Sequence, residues 1–293
     1  MRVLRGLLGA PMTVSVTYAQ TLKPAAVETP LDLWLFRPAA WGLVRLALPT
    51  PLSANGMTLL SIAAGLAGAA LMLSRDPWLF RVGAGLGLAY GVLDCADGQL
   101  ARARGTSSRV GRVLDGMSDY VVGSAAGVAV ALHLARQGGW ALGLFGAAGV
   151  VCVVVQGTLF DHFKNRYLSR ARVGYREGDD LDETLAELTA LRARGARATA
   201  ALLTVYATFL RVQSSMGGAR AEAPSHDPRF ADAMRPLARG WAWLGPSTHV
   251  LLLALFAWAD RLDGYAWLRL VPGNVMMVAL WLAWRARERS LAA

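Results

Sequence analysis

Six apolar runs of about 20 residues constrain the fold of this chain more than any other feature of its sequence. A helix that crosses about 30 Å of hydrocarbon needs about 20 mostly apolar residues, so each run is long enough to span a bilayer. Of the 293 residues, 55% are hydrophobic and only 17% are charged, which argues against a disordered chain and against an ordinary soluble domain. We therefore predict an all-α integral membrane bundle with six transmembrane helices, near residues 57–74, 78–98, 114–135, 140–160, 238–259 and 264–284.

The distribution of basic residues predicts how the bundle is oriented. Thirty Lys and Arg against 20 Asp and Glu give a formal net charge of +10. Most of the arginines lie before the first run, between the second and third, between the fourth and fifth, and after the sixth. Cytoplasmic loops carry such an excess, so we predict that these segments and both termini face the cytoplasm. The apolar runs are too long for a nucleic-acid-binding module, so we expect no nucleic-acid partner; the charge favours an anionic membrane surface or a phosphate-bearing substrate.

Two further segments complete the predicted organisation. Residues 31–48 combine tryptophans and leucines with Arg37 and Arg45, a composition typical of an amphipathic helix in the interfacial plane. The polar stretch after the fourth run has a helical pattern over 181–214, which Gly195 is expected to break. We divide the chain into an N-terminal segment (1–30), the interfacial helix with transmembrane helices one to four (31–160), a cytoplasmic helical insertion (161–237), and transmembrane helices five and six with a basic tail (238–293).

Four aspartates at the junction of the second and third runs stand where an apolar helix does not tolerate them without compensation. A carboxylate near the centre of a transmembrane helix costs about 2.5 to 3.5 kcal/mol. Asp94 and Asp97 are three positions apart, and Asp115 and Asp119 are four apart, so each pair projects from one face of its helix. If the two helices pack antiparallel, the two pairs converge near the cytoplasmic boundary of the membrane.

The carboxylates predict a metal site. Four of them in one place repel one another, and some would take up protons unless cations lie among them. Oxygen ligands favour hard ions, so we expect Mg²⁺ or Mn²⁺, with neighbouring aspartates bridging two ions. Cys95 points away from the face of Asp94 and Asp97, which leaves no ligand set for zinc. A transporter that relays metal ions or protons along intramembrane carboxylates is one explanation of these residues, but it predicts aspartates near the middle of the bilayer, whereas Asp94 and Asp97 lie at the end of the second run beside an Arg-rich loop.

Small residues leave the backbone open beside the aspartates. Gly98 and Ala101 follow the first pair, and Gly111 precedes the second. A planar base or a diphosphate can approach the backbone closely at such positions, and Arg102 offers cationic donors to phosphate oxygens. Tight helix packing is the alternative explanation for the small residues.

Together these residues resemble the signature of the class I CDP-alcohol phosphatidyltransferases, an integral membrane family. Asn55 and Thr58 also match the family's Pro-Asn-x-x-Thr pattern before the first span, although Ala54 replaces its proline. Residues 1–30 and most of 165–235 lie outside the resemblance. The fixed positions of the signature D-x2-D-G-x2-A-R-x8-9-G-x3-D-x3-D are all matched, by Asp94, Asp97, Gly98, Ala101, Arg102, Gly111, Asp115 and Asp119.

The resemblance implies an activity and a role for each matched residue. In the family, a hydroxyl group attacks a phosphorus of a CDP-linked substrate and CMP leaves, with two divalent metal ions held by the aspartates. By correspondence, the metal ligands are Asp94, Asp97, Asp115 and Asp119, the catalytic general base is Asp119, and the CDP-binding residues are Gly98, Ala101, Arg102 and Gly111.

From this resemblance we expect a phosphotransferase for substituted phosphate groups that acts in phospholipid biosynthesis. It would transfer the phosphatidyl group of CDP-diacylglycerol to the hydroxyl of a small polar acceptor. Transfer from a CDP-linked polar headgroup to a lipid or polyol acceptor is the alternative within the class. The resemblance further implies a homodimer in the lipid bilayer, in a bacterial inner membrane, with the active site on the cytoplasmic side.

Several basic residues are candidates for binding the acceptor. Arg109 and Arg112 lie inside the motif and offer bidentate donors to phosphate. Lys164 and Arg166 directly follow the fourth run, where a charge cluster that touches lipid headgroups is the alternative. His249 lies near the start of the fifth run, and its alternative is a histidine that packs between helices.

Overall fold

The computed structural model of the protein describes residues 16–22, 28–106, 109–172, 181–196, 200–201, 203–204, 206–208, 211 and 227–292. Throughout these ranges the regular structure is helical, and no β-strand occurs in them. The predicted all-α class is therefore confirmed.

Nine helices are given labels here, in chain order. A short 3-10 turn, Tyr18–Thr21, precedes them, and two π-helical segments, Asp32–Phe36 and Arg269–Gly273, lead into α1 and α9. The helices are α1 (Arg37–Ala47), α2 (Ala54–Leu71), α3 (Pro77–Arg104), α4 (Arg109–Ala171), α5 (Leu181–Ala193), α6 (Pro228–Ala242), α7 (Pro246–Trp258), α8 (Leu262–Leu268) and α9 (Asn274–Ala292).

Within the described ranges, five helical stretches are long and apolar enough to cross a membrane, so the chain is a multi-pass integral membrane protein. The third stretch is 58 residues long and covers two of the predicted runs. The five stretches are Ala54–Leu71, Pro77–Arg104, Leu114–Ala171, Pro228–Trp258 and Leu262–Leu291.

Two adjacent glycines interrupt the long helix α4. Gly138 (φ −137°, ψ 23°) and Gly139 (φ 77°, ψ −176°) both leave the helical region. The positive φ of Gly139 is a conformation that residues with a Cβ rarely adopt, which is why a glycine stands there. The break divides α4 into a first limb, before Gly138, and a second limb, after Gly139.

The two limbs of α4 pack against each other as an antiparallel hairpin. A Cβ built at Gly143 would lie 2.7 Å from the Cβ of Ala135, close to the break. A Cβ built at Gly127 would lie 2.6 Å from Cγ1 of Val150, further from the break. Each contact joins residues at similar distances from the break on the two limbs, which is the pattern of an antiparallel hairpin. Small residues allow this close approach, as they do in membrane bundles.

Glycines of α2 and α3 allow these two helices and α4 to pack closely, on the side of the aspartates away from the end of α3. A Cβ at Gly68 would lie 2.8 Å from the carbonyl oxygen of Gly83, and a Cβ at Gly83 would lie 2.7 Å from that of Gly68. Gly65 faces side-chain atoms of Val122 in α4 and Tyr90 in α3. The backbones of α2 and α3 are therefore close enough to fix the ends of these helices relative to one another.

Capping residues set the length of α3. Asp76 is its N-cap and accepts hydrogen bonds from the backbone N–H groups of Trp78 and Leu79. Pro77 occupies the first helical position, where a missing N–H costs nothing. Gly105 ends the helix in the left-handed region, with φ 62°. These signals place the acidic motif in the last turns of a 28-residue helix.

Helix α1 buries one face against α3 and exposes the other. Phe36, Ala40 and Val44 are fully buried in a cluster that includes residues of α3. Trp34 and Leu46 are exposed, at 80% and 72% of their surface. Trp34 and Phe36 belong to the π-helical segment ahead of α1, and Ala40, Val44 and Leu46 belong to α1 itself.

Arg37 differs from an interfacial cation because it is buried. Its guanidinium pairs with Glu28 at 3.2 Å and also donates to the carbonyl oxygen of Cys95, at 3.4 Å. Arg37 is 6% exposed and Glu28 is 4% exposed. A buried charge needs such a partner, and the partner comes from the segment ahead of α1.

The polar insertion is helical in its described part and is broken at the expected glycine. Helix α5 ends at Ala193, and Gly195 has φ 72°. The described residues between 200 and 211 are helical again. Leu188 and Leu203 of the insertion pack in one cluster with Met117 of α4, so the insertion lies against the first limb of α4.

The predicted fifth run, 238–259, is divided between two helices. Helix α6 ends at Ala242, and α7 begins at Pro246 after a turn. Pro246 has no N–H to continue the hydrogen-bond ladder of α6, so the chain starts a new helix there. Phe230, Met234 and Trp241 of α6 are buried against aromatic residues of α4 and α9.

Candidate active site

Two helix ends bring three aspartates together. Asp94 and Asp97 lie in the last turns of α3, and Asp115 lies in the first turns of α4. A carboxylate oxygen of each lies within 4.8 Å of one from each of the others. The expected convergence of α3 and α4 at the motif is therefore observed for these three side chains.

The three carboxylates differ in their exposure to solvent. Asp97 is 5% exposed, Asp94 is half-buried, and Asp115 is exposed. The cluster thus has a buried side, formed by α3, and an open side, formed by α4.

Thr58 of α2 fixes the buried carboxylate. Its hydroxyl lies 2.5 Å from Oδ2 of Asp97, to which it donates, and Thr58 is 2% exposed. The same hydroxyl lies 3.1 Å from the carbonyl oxygen of Ala54, one turn earlier in α2. The sequence signal for this contact was the threonine of the Pro-Asn-x-x-Thr pattern, but the pattern did not say which side chain the threonine meets.

Asp119 has a different partner, which the sequence analysis missed. The hydroxyl of Tyr90 donates to Oδ1 of Asp119 at 2.6 Å. Tyr90 is 7% exposed and lies on α3 one turn before Asp94, on the same helix face. That spacing was the available signal, but a tyrosine in an apolar run is ordinarily a packing residue.

The side chain of Arg102 lies over Gly98, one helical turn earlier in α3. A Cβ built at Gly98 would lie 3.3 Å from Nη1 of Arg102. Nε of Arg102 donates to the carbonyl oxygen of Thr21 at 2.6 Å, while its Nη2 is buried without a hydrogen-bond partner in the described part of the chain. Ala101 and Gly111 are half-buried. This arrangement leaves guanidinium donors beside open backbone, next to the carboxylates.

A second arginine of the motif region has a structural role. Arg104 donates to the carbonyl oxygens of Leu52, at 2.5 Å, and of Thr50, at 2.8 Å. It also reaches those of Ala47 and Leu48, which end α1. Arg104 therefore holds the connection between α1 and α2 against the end of α3.

Comparison with known proteins agrees with this geometry. The family model described as CDP-alcohol phosphatidyltransferase matches residues 52–210, which is more than half of the chain. The chain belongs to this family. Membership supports an enzyme of the transferase type that moves a phosphate-linked group from a CDP-alcohol to a hydroxyl acceptor. No curated protein matches the chain.

The carboxylate oxygens of Asp94, Asp97 and Asp115 suit the divalent metal ions that CDP-alcohol phosphatidyltransferases use. Mg²⁺ binds oxygen ligands at about 2.0 to 2.1 Å, so opposite ligands of one ion lie about 4 Å apart. Oxygen atoms within 4.8 Å of one another need only small side-chain rotations to reach that geometry. Cys95 is buried on the side of α1 and lies outside the group, so the candidate ligands are all oxygen. The three carboxylates could therefore hold a hard cation.

The candidate acceptor residues of this family member have other partners or lie outside the described part. Lys164 forms an ion pair with Asp161. Arg166 donates to Oε1 of Glu288, at 2.7 Å, which ties α4 to α9. The side chains of Arg109 and Arg112 lie outside the described residues.

His249 lies inside the bundle. It is 7% exposed, and its ring interacts with the backbone of Leu244. The guanidinium of Arg269 is close enough to interact with it electrostatically, and Arg269 is itself 3% exposed. Within the described part of the chain, His249 of α7 and Arg269 of the π-helical segment ahead of α9 therefore form an internal polar cluster.

Proposed function

We propose that this chain transfers a phosphatidyl group from CDP-diacylglycerol to the hydroxyl of a small polar acceptor, with release of CMP, in phospholipid biosynthesis. The observation that carries the proposal is the convergence of Asp94, Asp97 and Asp115 within 4.8 Å at the meeting point of α3 and α4. Family membership supports the transferase class over a transporter that relays ions through the membrane.

In this proposal Asp94, Asp97, Asp115 and Asp119 hold two divalent ions, Mg²⁺ or Mn²⁺. When bound, such ions neutralise charge on the diphosphate and on the departing CMP. The buried Asp97, fixed by Thr58, would keep its orientation through the reaction. The exposed Asp115 would meet substrate from the open side.

Asp119 acts as the general base. It takes the proton of the acceptor hydroxyl while the hydroxyl oxygen forms a bond to phosphorus, and the bond from phosphorus to the oxygen of CMP breaks. The hydrogen bond from Tyr90 to Oδ1 supports this role, because it orients the carboxylate.

Gly98, Ala101, Arg102 and Gly111 form the surface that binds the cytidine diphosphate. A Cβ at Gly98 would meet the guanidinium of Arg102, so the glycine lets that side chain lie across the helix. The buried Nη2 of Arg102 is a donor that a phosphate oxygen would satisfy.

We further propose that the bundle crosses the membrane six times, with the carboxylates on the cytoplasmic side of a bacterial inner membrane. The hairpin at Gly138 and Gly139 supports six crossings, since each limb of α4 is long enough to span. Arg102 and Arg104 lie at the same end of the bundle as the carboxylates, as the positive-inside rule expects of the cytoplasmic end. We retain the homodimer, the interfacial placement of α1 and the division into four segments as parts of this proposal.

Release of CMP tests the reaction. Purified chain is incubated with Mg²⁺ or Mn²⁺, with CDP-diacylglycerol or a CDP-linked polar headgroup as donor, and with glycerol phosphate or inositol phosphate as acceptor. We expect turnover only with CDP-diacylglycerol, and none in EDTA. Asp119→Asn should lower kcat by about 10² to 10⁴, the usual contribution of a general base.

The matched control is Asp232→Asn. Asp232 is an exposed carboxylate of α6, paired with Arg235 at 2.8 Å, and its loss should leave turnover unchanged. Full activity of Asp119→Asn, or turnover that EDTA does not reduce, would contradict the proposed base and the proposed metal site. Turnover only with the CDP-linked headgroup would reverse the choice of donor.

A further inference from the structure

A pocket of about 510 Å³ lies at the opposite end of the bundle from the carboxylates. It is formed where α2 connects to α3, where the limbs of α4 connect, and where α7 connects to α8. Asp94 follows the start of α3 by 17 positions, so the pocket is about 26 Å along the helix from the aspartate cluster. The charged or titratable side chains that line it are Arg75, Arg81, Arg136, His133, Asp76 and Asp260.

The three arginines of this pocket have unused donors. Arg81 donates from Nε to the carbonyl oxygen of Trp258, at 3.4 Å, and Arg136 donates from Nη1 to that of Leu73, at 2.5 Å. Arg75 makes no hydrogen bond in the described ranges, and none of the three pairs with a carboxylate there. Three guanidinium groups with free N–H donors therefore converge on one cavity.

Other donors already engage the two carboxylates of the pocket. Oδ1 of Asp76 accepts the backbone N–H of Trp78, at 2.7 Å, as the N-cap of α3. Oδ1 of Asp260 accepts from Gln137 at 3.1 Å and lies 3.1 Å from Nε2 of His133. The carboxylates thus serve the helix start and the loop contacts, and three guanidinium charges against two carboxylates leave the pocket cationic.

Three exposed tryptophans lie within three sequence positions of residues that line the pocket. Trp78, Trp140 and Trp258 are exposed by 65%, 77% and 54%. Tryptophan is enriched at the level of the lipid headgroups, where its ring is partly in hydrocarbon and partly in water. The positive-inside rule expects few Lys and Arg at the non-cytoplasmic face, which is where the proposed orientation puts this pocket. The arginines of the pocket therefore need another explanation.

We propose that this pocket binds the phosphate of an anionic phospholipid headgroup, in the leaflet opposite to the carboxylate site. Guanidinium groups match phosphate oxygens with paired hydrogen bonds, which explains three arginines without carboxylate partners. The exposed Trp78, Trp140 and Trp258 favour a lipid over a soluble phosphate, because tryptophan is enriched at the level of the headgroups. The inference does not depend on the proposed reaction.

Native mass spectrometry of the full chain in detergent tests the inference. The probes are dioctanoyl phosphatidylglycerol, dioctanoyl phosphatidylcholine and inorganic phosphate. The test variant carries Arg75→Gln, Arg81→Gln and Arg136→Gln together. We expect the unaltered chain to retain one more phosphatidylglycerol than this triple variant. The affinity of the triple variant for phosphatidylglycerol should fall at least about tenfold, because several charge-assisted hydrogen bonds are lost. Phosphatidylcholine should not be retained at this site, and millimolar inorganic phosphate should not displace phosphatidylglycerol.

Two further variants control for folding and for general charge loss. Arg75→Gln alone removes a side chain with no hydrogen bond in the described ranges, so it should weaken retention without lowering the melting temperature. Arg261→Gln removes a cation at the same end of the bundle that is already paired with Asp263 at 3.2 Å, and retention should not change. CMP release should be the same in all of these variants.

Equal retention by the chain and by both the triple and the Arg75→Gln variants would overturn the proposal. Complete displacement by inorganic phosphate would overturn the assignment to a lipid. Neither result bears on the carboxylate site, whose failure would show instead as absent CMP release.

Discussion

The hydroxyl of Tyr90 lies 2.6 Å from Oδ1 of Asp119, across the gap between α3 and α4. The two residues belong to helices joined by a short connection, and their hydrogen bond lies beside the group of three carboxylates. Tyr90 is almost fully buried, whereas Asp119 is exposed. The contact therefore ties a solvent-accessible carboxylate to a fixed point in the core, and orientation is what a proton acceptor requires.

Tyr90→Phe tests this positioning. The variant keeps the ring in its packing site and removes only the donor, so we expect kcat to fall about tenfold, the equivalent of one hydrogen bond to a charged group, with little change in KM. Steady-state CMP release measures both constants. Tyr167→Phe is the control, since Tyr167 is also buried and its hydroxyl has no hydrogen bond in the described ranges. A fall in both variants would point to general destabilisation.

Thr58→Val should lower the metal affinity of the site and so raise the Mg²⁺ concentration that CMP release requires. Valine has nearly the shape of threonine but cannot donate to Asp97, and loss of such a supporting contact typically lowers metal affinity about 10- to 100-fold. The measurement is the Mg²⁺ concentration for half-maximal CMP release. Thr58→Ser keeps the hydroxyl and should restore most of the affinity. Identical metal dependence in Thr58→Val and the unaltered chain would show that this contact has no part in ion binding.

Glu28→Gln should destabilise the fold. It leaves Arg37 buried beside a neutral partner, and breaking a buried ion pair costs about 3 to 5 kcal/mol. Thermal unfolding in detergent measures the loss. Asp232→Asn breaks an exposed pair in α6 and should cost at most about 1 kcal/mol. Equal melting temperatures for the two variants would mean that the segment ahead of α1 contributes no stability.

Gly139→Ala tests the turn between the limbs of α4. No atom lies within 4 Å of a Cβ built there, so the cost comes only from the positive φ and amounts to about 1 to 3 kcal/mol. Gly85→Ala is the matched control: its Cβ also meets nothing within 4 Å, but the residue is helical. That variant should be neutral or slightly stabilising. The two melting temperatures should therefore move in opposite directions or differ clearly.

Local sequence signals were sufficient for the elements that carry the candidate site. Apolar runs of sufficient length require helices in a bilayer, since every backbone group must find its partner within the segment. Asp76, Pro77 and Gly105 set the start and end of α3, and the spacing of Asp94 and Asp97 put both on one face. The carboxylate cluster could be anticipated because its members are close in sequence and their mutual repulsion demands a cation.

Contacts between distant segments were decided only by the tertiary structure. Thr58 meets Asp97 across 39 positions. Glu28, from a stretch that no pattern described, pairs with Arg37, which in turn donates to the carbonyl oxygen of Cys95 in α3. Arg75 precedes α3, Arg81 lies in the second turn of α3 and Arg136 lies near the end of the first limb of α4, and each alone is an ordinary surface cation. Periodicity reports which face of a helix is apolar, but it carries no information about which neighbour covers that face. Packing of the glycine-lined helices against one another settles that question, and with it the partners of the polar side chains.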